Sequence, residues 1–263
     1  MINIIIGILS DIHEDVDRLK MAFKVLEKNN VDEIVCLGDI VGFSVPYYTY
    51  LSKRDANKVV EMIRDTCSIV VIGNHDLYSI RKIPIHRSFF DYPNNWYRLE
   101  FLERKRISES KLFLYEDNEL SALLTKKNRE YLFSLPEYVV SKYENHNVLF
   151  SHYAFPDCTG SSTHVINKVK DLSLHFEIMR KFDCKYSFSG NDHFEGLKIF
   201  STSFAKSIGF EKFIMPNELT WVHGPTVSKG TFKNGIMLYD TKNRIIEAIP
   251  LHSKTHNSNF LNY

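Results

Sequence analysis

The run Ser68-Ile69-Val70-Val71-Ile72-Gly73-Asn74-His75-Asp76 decides how this chain is read. An apolar strand stops at a glycine, and an amide, an imidazole and a carboxylate follow in a row. A core has no use for that order. Gly, Asn and Asp also make ordinary turns, so the run takes its meaning from the rest of the chain. In open α/β sheets, ligands bind at the carboxyl ends of the strands.

Working outward, the same grammar repeats. Residues 3–9 read as a strand, and Asp11-Ile12-His13 follows it. Val16, Leu19, Phe23 and Leu26 then recur at helical spacing behind Asp15 as N-cap. Ile34-Val35-Cys36-Leu37 is a second apolar strand ending in Gly38-Asp39, and a helix over 55–66 leads to the opening run. Alternation of this kind implies a parallel sheet with helical crossovers. Further on, a helix at 125–134 with Thr125 as N-cap precedes the strand Val148-Leu149-Phe150 and Ser151-His152. A longer helix spans about 164–181, and Tyr186-Ser187-Phe188 leads into Gly190-Asn191-Asp192-His193. From 197 onward the pattern becomes strands separated by turns, as in antiparallel pairs.

Composition bounds the alternatives. The 263 residues, 44% hydrophobic and 25% charged, with net charge +1, describe an ordinary globular protein with no polyanion footprint. The apolar start reads as a first buried strand rather than a leader, and no run approaches a membrane span. The four cysteines show no metal or redox spacing and read as reduced thiols of a cytoplasmic protein. We expect one domain over 1–250, with a variable aromatic-rich insert or cap at 77–146 and a polar, frayed tail at 251–263. The aromatic stretch from Phe89 to Phe101 reads as core or a dimer patch; a cap whose rings stack on a nucleobase is the sharper alternative. Arg104-Lys105-Arg106 reads as a solvated face.

Five strand ends thus carry Asp11 and His13, Asp39, Asn74 and His75, His152, and Asn191 with His193. Carboxylates, imidazoles and amide oxygens are ligands for Mn, Fe or Zn ions, and there are enough of them for two. Ser10-Asp11-Ile12-His13, Gly38-Asp39, Gly73-Asn74-His75-Asp76, Ser151-His152 and Gly190-Asn191-Asp192-His193 resemble the five ordered motifs of calcineurin-like metallophosphoesterases. The segment Thr125–Pro136 is similar to the one before the fourth motif in the family's smaller bacterial and archaeal members.

The resemblance covers about residues 3–250 and implies a four-layer α/β/β/α sandwich of two mixed sheets flanked by helices. It implies that Asp11, His13 and His193 hold a first metal, that Asp39 bridges, and that Asn74 and His152 hold a second. It implies that His75 protonates the leaving alkoxide, oriented by Asp76, while a metal-bridging hydroxide attacks phosphorus. The expected activity is hydrolysis of a small phosphodiester or phosphomonoester, a nucleotide among the candidates. One departure stands out. The family's fifth motif usually reads Gly-His-x-His, and here its first histidine is Asn191. An amide oxygen suits Mn²⁺ better than Zn²⁺, so Mn is favoured at the second site, completed by Asn191 or Asp192. His223, before Gly224-Pro225, sits where the family has a loop near the metals; the resemblance leaves it behind the ligands, toward substrate, or with no role. The competing reading is a non-catalytic scaffold with an impaired second metal site; the retained His75 and Asp76 argue against it.

Overall fold

Strand and helix signals from Ile5 onward build two sheets laid face to face. The computed structural model describes residues 3–87, 89–228 and 233–253. The first six-stranded sheet runs, in spatial order, Lys212–Ile214, Ile245–Pro250, Gly235–Asp240, Ile5–Leu9, Glu33–Cys36, Ile69–Val70. The second runs Ala205–Ile208, Leu197–Ser201, Thr220–His223, Cys184–Ser189, His146–Ser151, Tyr138–Tyr143. Each sheet has a parallel portion: Ile5–Leu9, Glu33–Cys36 and Ile69–Val70 in one, His146–Ser151, Cys184–Ser189 and Thr220–His223 in the other. The remaining pairings are antiparallel.

Alternation along the strands sorts the cores. Ile6, Ile8, Val35, Met237 and Tyr239 face Val148, Phe150, Tyr186, Phe188 and Val222 of the other sheet. On the outer face of the first sheet lie helices Val16–Lys28 and Ala56–Thr66, which bury Leu19, Ala22 and Leu26, and Val59, Val60 and Ile63. Their N-caps are Asp15 and Asp55, whose carboxylates accept the Arg18 and Lys58 N–H at 3.0 and 2.9 Å. Helix Ser173–Lys181 covers the outer face of the second sheet with Phe176 and Met179. The result is helix, sheet, sheet, helix: two large mixed sheets flanked by helices. Among the described residues, no helix is long and apolar enough to cross a membrane.

Some expectations need correction. The strand at 68–72 pairs regularly only over Ile69–Val70, and Asn74 already begins a helix, Asn74–Ile80, with Gly73 as N-cap. The expected helix over 164–181 starts late, as a 3₁₀ turn at Val169–Leu172 followed by Ser173–Lys181. The Asp171 carboxylate collects the N–H groups of Asn167 and Lys168, and the Ile166 N–H bonds Tyr153 Oη, so the backbone is committed elsewhere before Val169. The core reading of 89–101 holds for Phe90, Tyr92, Trp96 and Tyr97, which form a small core with Leu112, while Phe89 is exposed against His164. Arg104 is buried there, paired with Glu116 and set over Trp96, and is no part of a solvated face. At the start of the expected tail, Leu251 is buried and the Ser253 hydroxyl donates to Asn234 Oδ1 at 2.6 Å; residues 254–263 lie outside the described residues.

Candidate metal centre

The parallel strands end on a common edge, and each end carries polar side chains. Asp11 and His13 follow Ile5–Leu9, Asp39 follows Glu33–Cys36, and Asn74 and His75 follow Ile69–Val70. From the other sheet, His152 follows His146–Ser151, Asn191 and His193 follow Cys184–Ser189, and His223 ends Thr220–His223. The loops are laced to each other. The N–H groups of Ile12 and His13 both donate to Asp39 O, at 2.8 and 3.0 Å, and Gly190 N–H donates to His152 O at 2.9 Å. Asp11, His13, Asp39, Asn191 and His193 all take positive φ, between 48° and 83°. Non-glycine residues in that region carry strain, and it gathers where side chains must be aimed. Gly73 is needed for another reason: a Cβ there would stand 2.1 Å from Asp39 Oδ1.

The ligand atoms converge. Three sets, Asp11–His13–His193, His13–Asp39–His75 and Asp11–Asp39–His152, each have one ligand atom per residue within 4.8 Å of the others. His13 Nδ1 meets Gly42 O at 2.8 Å and His152 Nδ1 meets Leu37 O at 2.7 Å. A carbonyl only accepts, so both Nδ1 atoms carry protons and both Nε2 atoms face inward. His193 Nε2 lies 3.1 Å from His13 Nε2 and 3.0 Å from Asp11 Oδ1. One end of the Asn74 amide lies 3.1 Å from each of Asp39 Oδ2, His152 Nε2 and Thr159 O, and the other end pairs with Tyr115 Oη. With its oxygen turned inward the amide joins the neighbouring carboxylates and imidazoles as a ligand set that fits a bound metal.

The calcineurin-like phosphoesterase family model matches residues 4–195, the span that carries all five motifs. The chain belongs to the calcineurin-like phosphoesterase family. It is 27% identical over 167 residues to an uncharacterised protein of Methanocaldococcus jannaschii, a match covering 60% of this chain and 56% of that relative, little more than half its length. The fold is similar to a metallophosphoesterase of Sphaerobacter thermophilus, with a TM-score of 0.64 at 19% identity over 95% of this chain and 88% of that one. It is also similar to a hypothetical protein of Pyrococcus horikoshii, with a TM-score of 0.56 at 12% identity over 94% and 87%. The family is one of phosphoesterases, and it implies divalent metal binding.

At this site ionised carboxylates sit against protonated imidazoles, a positive charge that a bound cation would supply in their place. Burial raises the Asp39 carboxyl, but the imidazoles of His152 and His75 outweigh it and hold it at about 2. Asp11 is held lower still, burial again being outweighed, chiefly by His193. Burial and the neighbouring His75 push His13 down to about 3, leaving a neutral ring with a free lone pair. Burial pulls His152 and His75 down, yet Asp39 raises the first to about 10, and Glu119 with Asp39 raises the second to about 9.

Two sequence expectations change. Asp76 does not touch His75. Its carboxylate accepts the N–H groups of Ile40, Val41 and Gly73 at 2.9, 3.0 and 3.1 Å and ties two motif loops together. His75 Nδ1 is instead paired with Glu119, from the short strand Glu119–Leu120 that pairs with Phe43–Ser44. Asp192 belongs to none of the three convergent sets: its carboxylate accepts from Asn191 Nδ2 at 3.0 Å and faces His223 Nδ1 at 3.5 Å. His223, buried, accepts the Asp192 N–H through Nε2 at 3.3 Å and so supports the loop from behind. Asn191 lines the cleft, its N–H on Asp11 Oδ2 at 3.0 Å. The sequence reading missed Tyr115, Glu119 and Thr159, which stand in no motif. The cleft in front of these groups holds about 400 Å³ and is also lined by Ser44, Tyr47, Tyr48, Phe113 and Asn118.

Proposed function

We propose that this chain is a dinuclear metal-dependent phosphoesterase acting on a small phosphodiester or phosphomonoester. The observation that carries the reading is the convergence of carboxylate, imidazole and amide ligand atoms from two sheets on Asp39. Asp11, His13 and His193 would hold one ion and Asn74 and His152 the other, with Asp39 between them and Asn191 at the edge of the second. Bound divalent ions supply Lewis acidity toward the phosphoryl oxygens and an activated water at neutral pH. The amide oxygens of Asn74 and Asn191 favour a hard ion such as Mn²⁺ at the second position.

The chain's own residues do the rest. Asp39 brings negative charge to both ion positions. His75 Nε2, which stands 3.9 Å from Asp39 Oδ2, gives its proton to the leaving alkoxide. A cleft of about 400 Å³ suits a substrate of nucleotide size. Free thiols at all four cysteines support a reducing, cytoplasmic setting.

The test is leaving-group dependence. Without its acid the enzyme should still expel a nitrophenolate, which needs little protonation, but not an alkoxide. His75→Ala should therefore lower turnover of alkyl esters by about a hundredfold or more, and that of p-nitrophenyl esters far less. Equal losses on both would remove His75 from the acid role.

A further inference from the structure

We propose that Tyr115 and Glu119 are the positioning residues of this site: Tyr115 holds the Asn74 amide group in place, and Glu119 fixes the ring of His75. The inference rests on the phosphoesterase reading above. It assigns both tasks to one short segment outside the five motifs.

The geometry of the segment explains how it reaches two neighbours at once. Glu119 N–H donates to Tyr115 O at 2.8 Å, closing a helix-like turn, and residues four apart in such a turn lie side by side. Their targets, Asn74 and His75, are consecutive. Tyr115 Oη pairs with one end of the Asn74 amide, which aims the other end at Asp39, His152 and Thr159. The Tyr115 ring also lies against the His75 imidazole, centroids 4.3 Å apart. The Glu119 side chain is 1% exposed, and among the described residues its hydrogen bond is to His75 while Oε1 has no partner. A buried carboxylate is costly unless paired, so His75 is the reason for its place. The pairing of Glu119 with Ser44 anchors it two residues beyond Gly42, where a Cβ would press on the His75 Cβ at 2.6 Å. His75 is thus fenced by Gly42, Tyr115 and Glu119, with Nε2 left toward Asp39 and the cleft. Holding Nδ1–H on a carboxylate fixes both tautomer and ring plane.

Two isosteric variants separate the two tasks from a merely structural role. Tyr115→Phe should weaken the second Mn²⁺ by about tenfold or more in calorimetric titration of metal-stripped protein. At saturating Mn²⁺ its ratio of alkyl to p-nitrophenyl ester turnover should match that of the unaltered protein. Glu119→Gln should do the reverse. Both Mn²⁺ affinities should stay within about twofold, while the alkyl rate falls roughly tenfold to a hundredfold more than the p-nitrophenyl rate. Added to His75→Ala, it should lower the alkyl rate no further. Unchanged second-ion affinity in Tyr115→Phe overturns the first assignment, and equal losses on both ester types in Glu119→Gln overturn the second. Should that variant fail to fold, ¹⁵N NMR of His75 in the unaltered protein decides: a proton on Nδ1 is expected, and a bare Nδ1 overturns the Glu119 assignment. Equal losses in His75→Ala alone sink the acid reading itself, and the Tyr115 result still stands on metal binding.

Discussion

Asp39 is the residue on which the rest of the site leans. Its carbonyl takes the N–H groups of Ile12 and His13, its Oδ1 takes the His75 N–H at 2.9 Å, and its Oδ2 faces His152 Nε2 at 3.2 Å. Asp39→Asn keeps the shape and removes the charge that offsets two cations. Turnover should fall by roughly a thousandfold or more, since several kcal/mol of charge stabilisation depend on it, and elemental analysis should find less than two ions per chain. A variant that kept both ions and full turnover would exclude Asp39 as the bridge. The candidate ligands that the structure brings together were legible in the sequence because they follow apolar runs. The orienting group of His75 was not. His75 and Asp76 lie in the first turn of a helix, where adjacent residues do not face each other. Glu119 reaches His75 only through the pairing of Ser44 with Glu119, 75 residues apart in sequence, and no local pattern marks it.

At the scale of elements, helix Ser173–Lys181 carries a histidine that the chemistry does not use. His175 is fully buried; its Nδ1 accepts the Phe155 N–H at 2.9 Å and its Nε2 meets Ser187 Oγ at 3.0 Å. Burial pushes it down from 6.5 to about 3. Between those values the unfolded chain binds a proton and the folded chain does not. The stability it contributes is therefore fully present above pH 6.5 and is lost as pH falls toward 3, at about 1.4 kcal/mol per pH unit. Denaturant unfolding of metal-stripped protein should show stability dropping between pH 6.5 and 5, and His175→Gln should drop by roughly 2 kcal/mol less over that window. Parallel slopes would mean that His175 takes up its proton while folded. The helix itself was readable from its apolar stripe. Its start was not, because the side chains of Asp171 and Tyr153 redirect the backbone of 166–168, and that competition leaves no trace in periodicity.

Across the whole molecule, two sheets with parallel portions meet along Ile6, Ile8, Phe150 and Phe188, and their strand ends point to one place. The first sheet brings Asp11, His13, Asp39, Asn74 and His75, and the second brings His152, Asn191 and His193. The first sheet alone supplies the set His13–Asp39–His75, but the sets that include His193 and His152 need both sheets. The sequence reading put all five ends along one parallel sheet edge, and only the family resemblance implied two sheets; which ends each sheet carries follows from the strand pairing. The edge strand Tyr138–Tyr143 and the short strands Ala205–Ile208 and Lys212–Ile214 did not stand out; the last two are largely exposed and carry little apolar alternation. In the proposed two-ion phosphoesterase centre on this shared edge, the second ion is the weaker, because Asn191 supplies an amide where the family has an imidazole. The most direct test titrates metal-stripped protein with Mn²⁺ while following both bound ion and hydrolysis of bis(p-nitrophenyl) phosphate and p-nitrophenyl phosphate. We expect no turnover before ions are added, one ion bound tightly, and turnover of at least one ester rising with the second, looser ion to a plateau at two per chain. Turnover without ions, or two ions bound with neither ester hydrolysed, would contradict it.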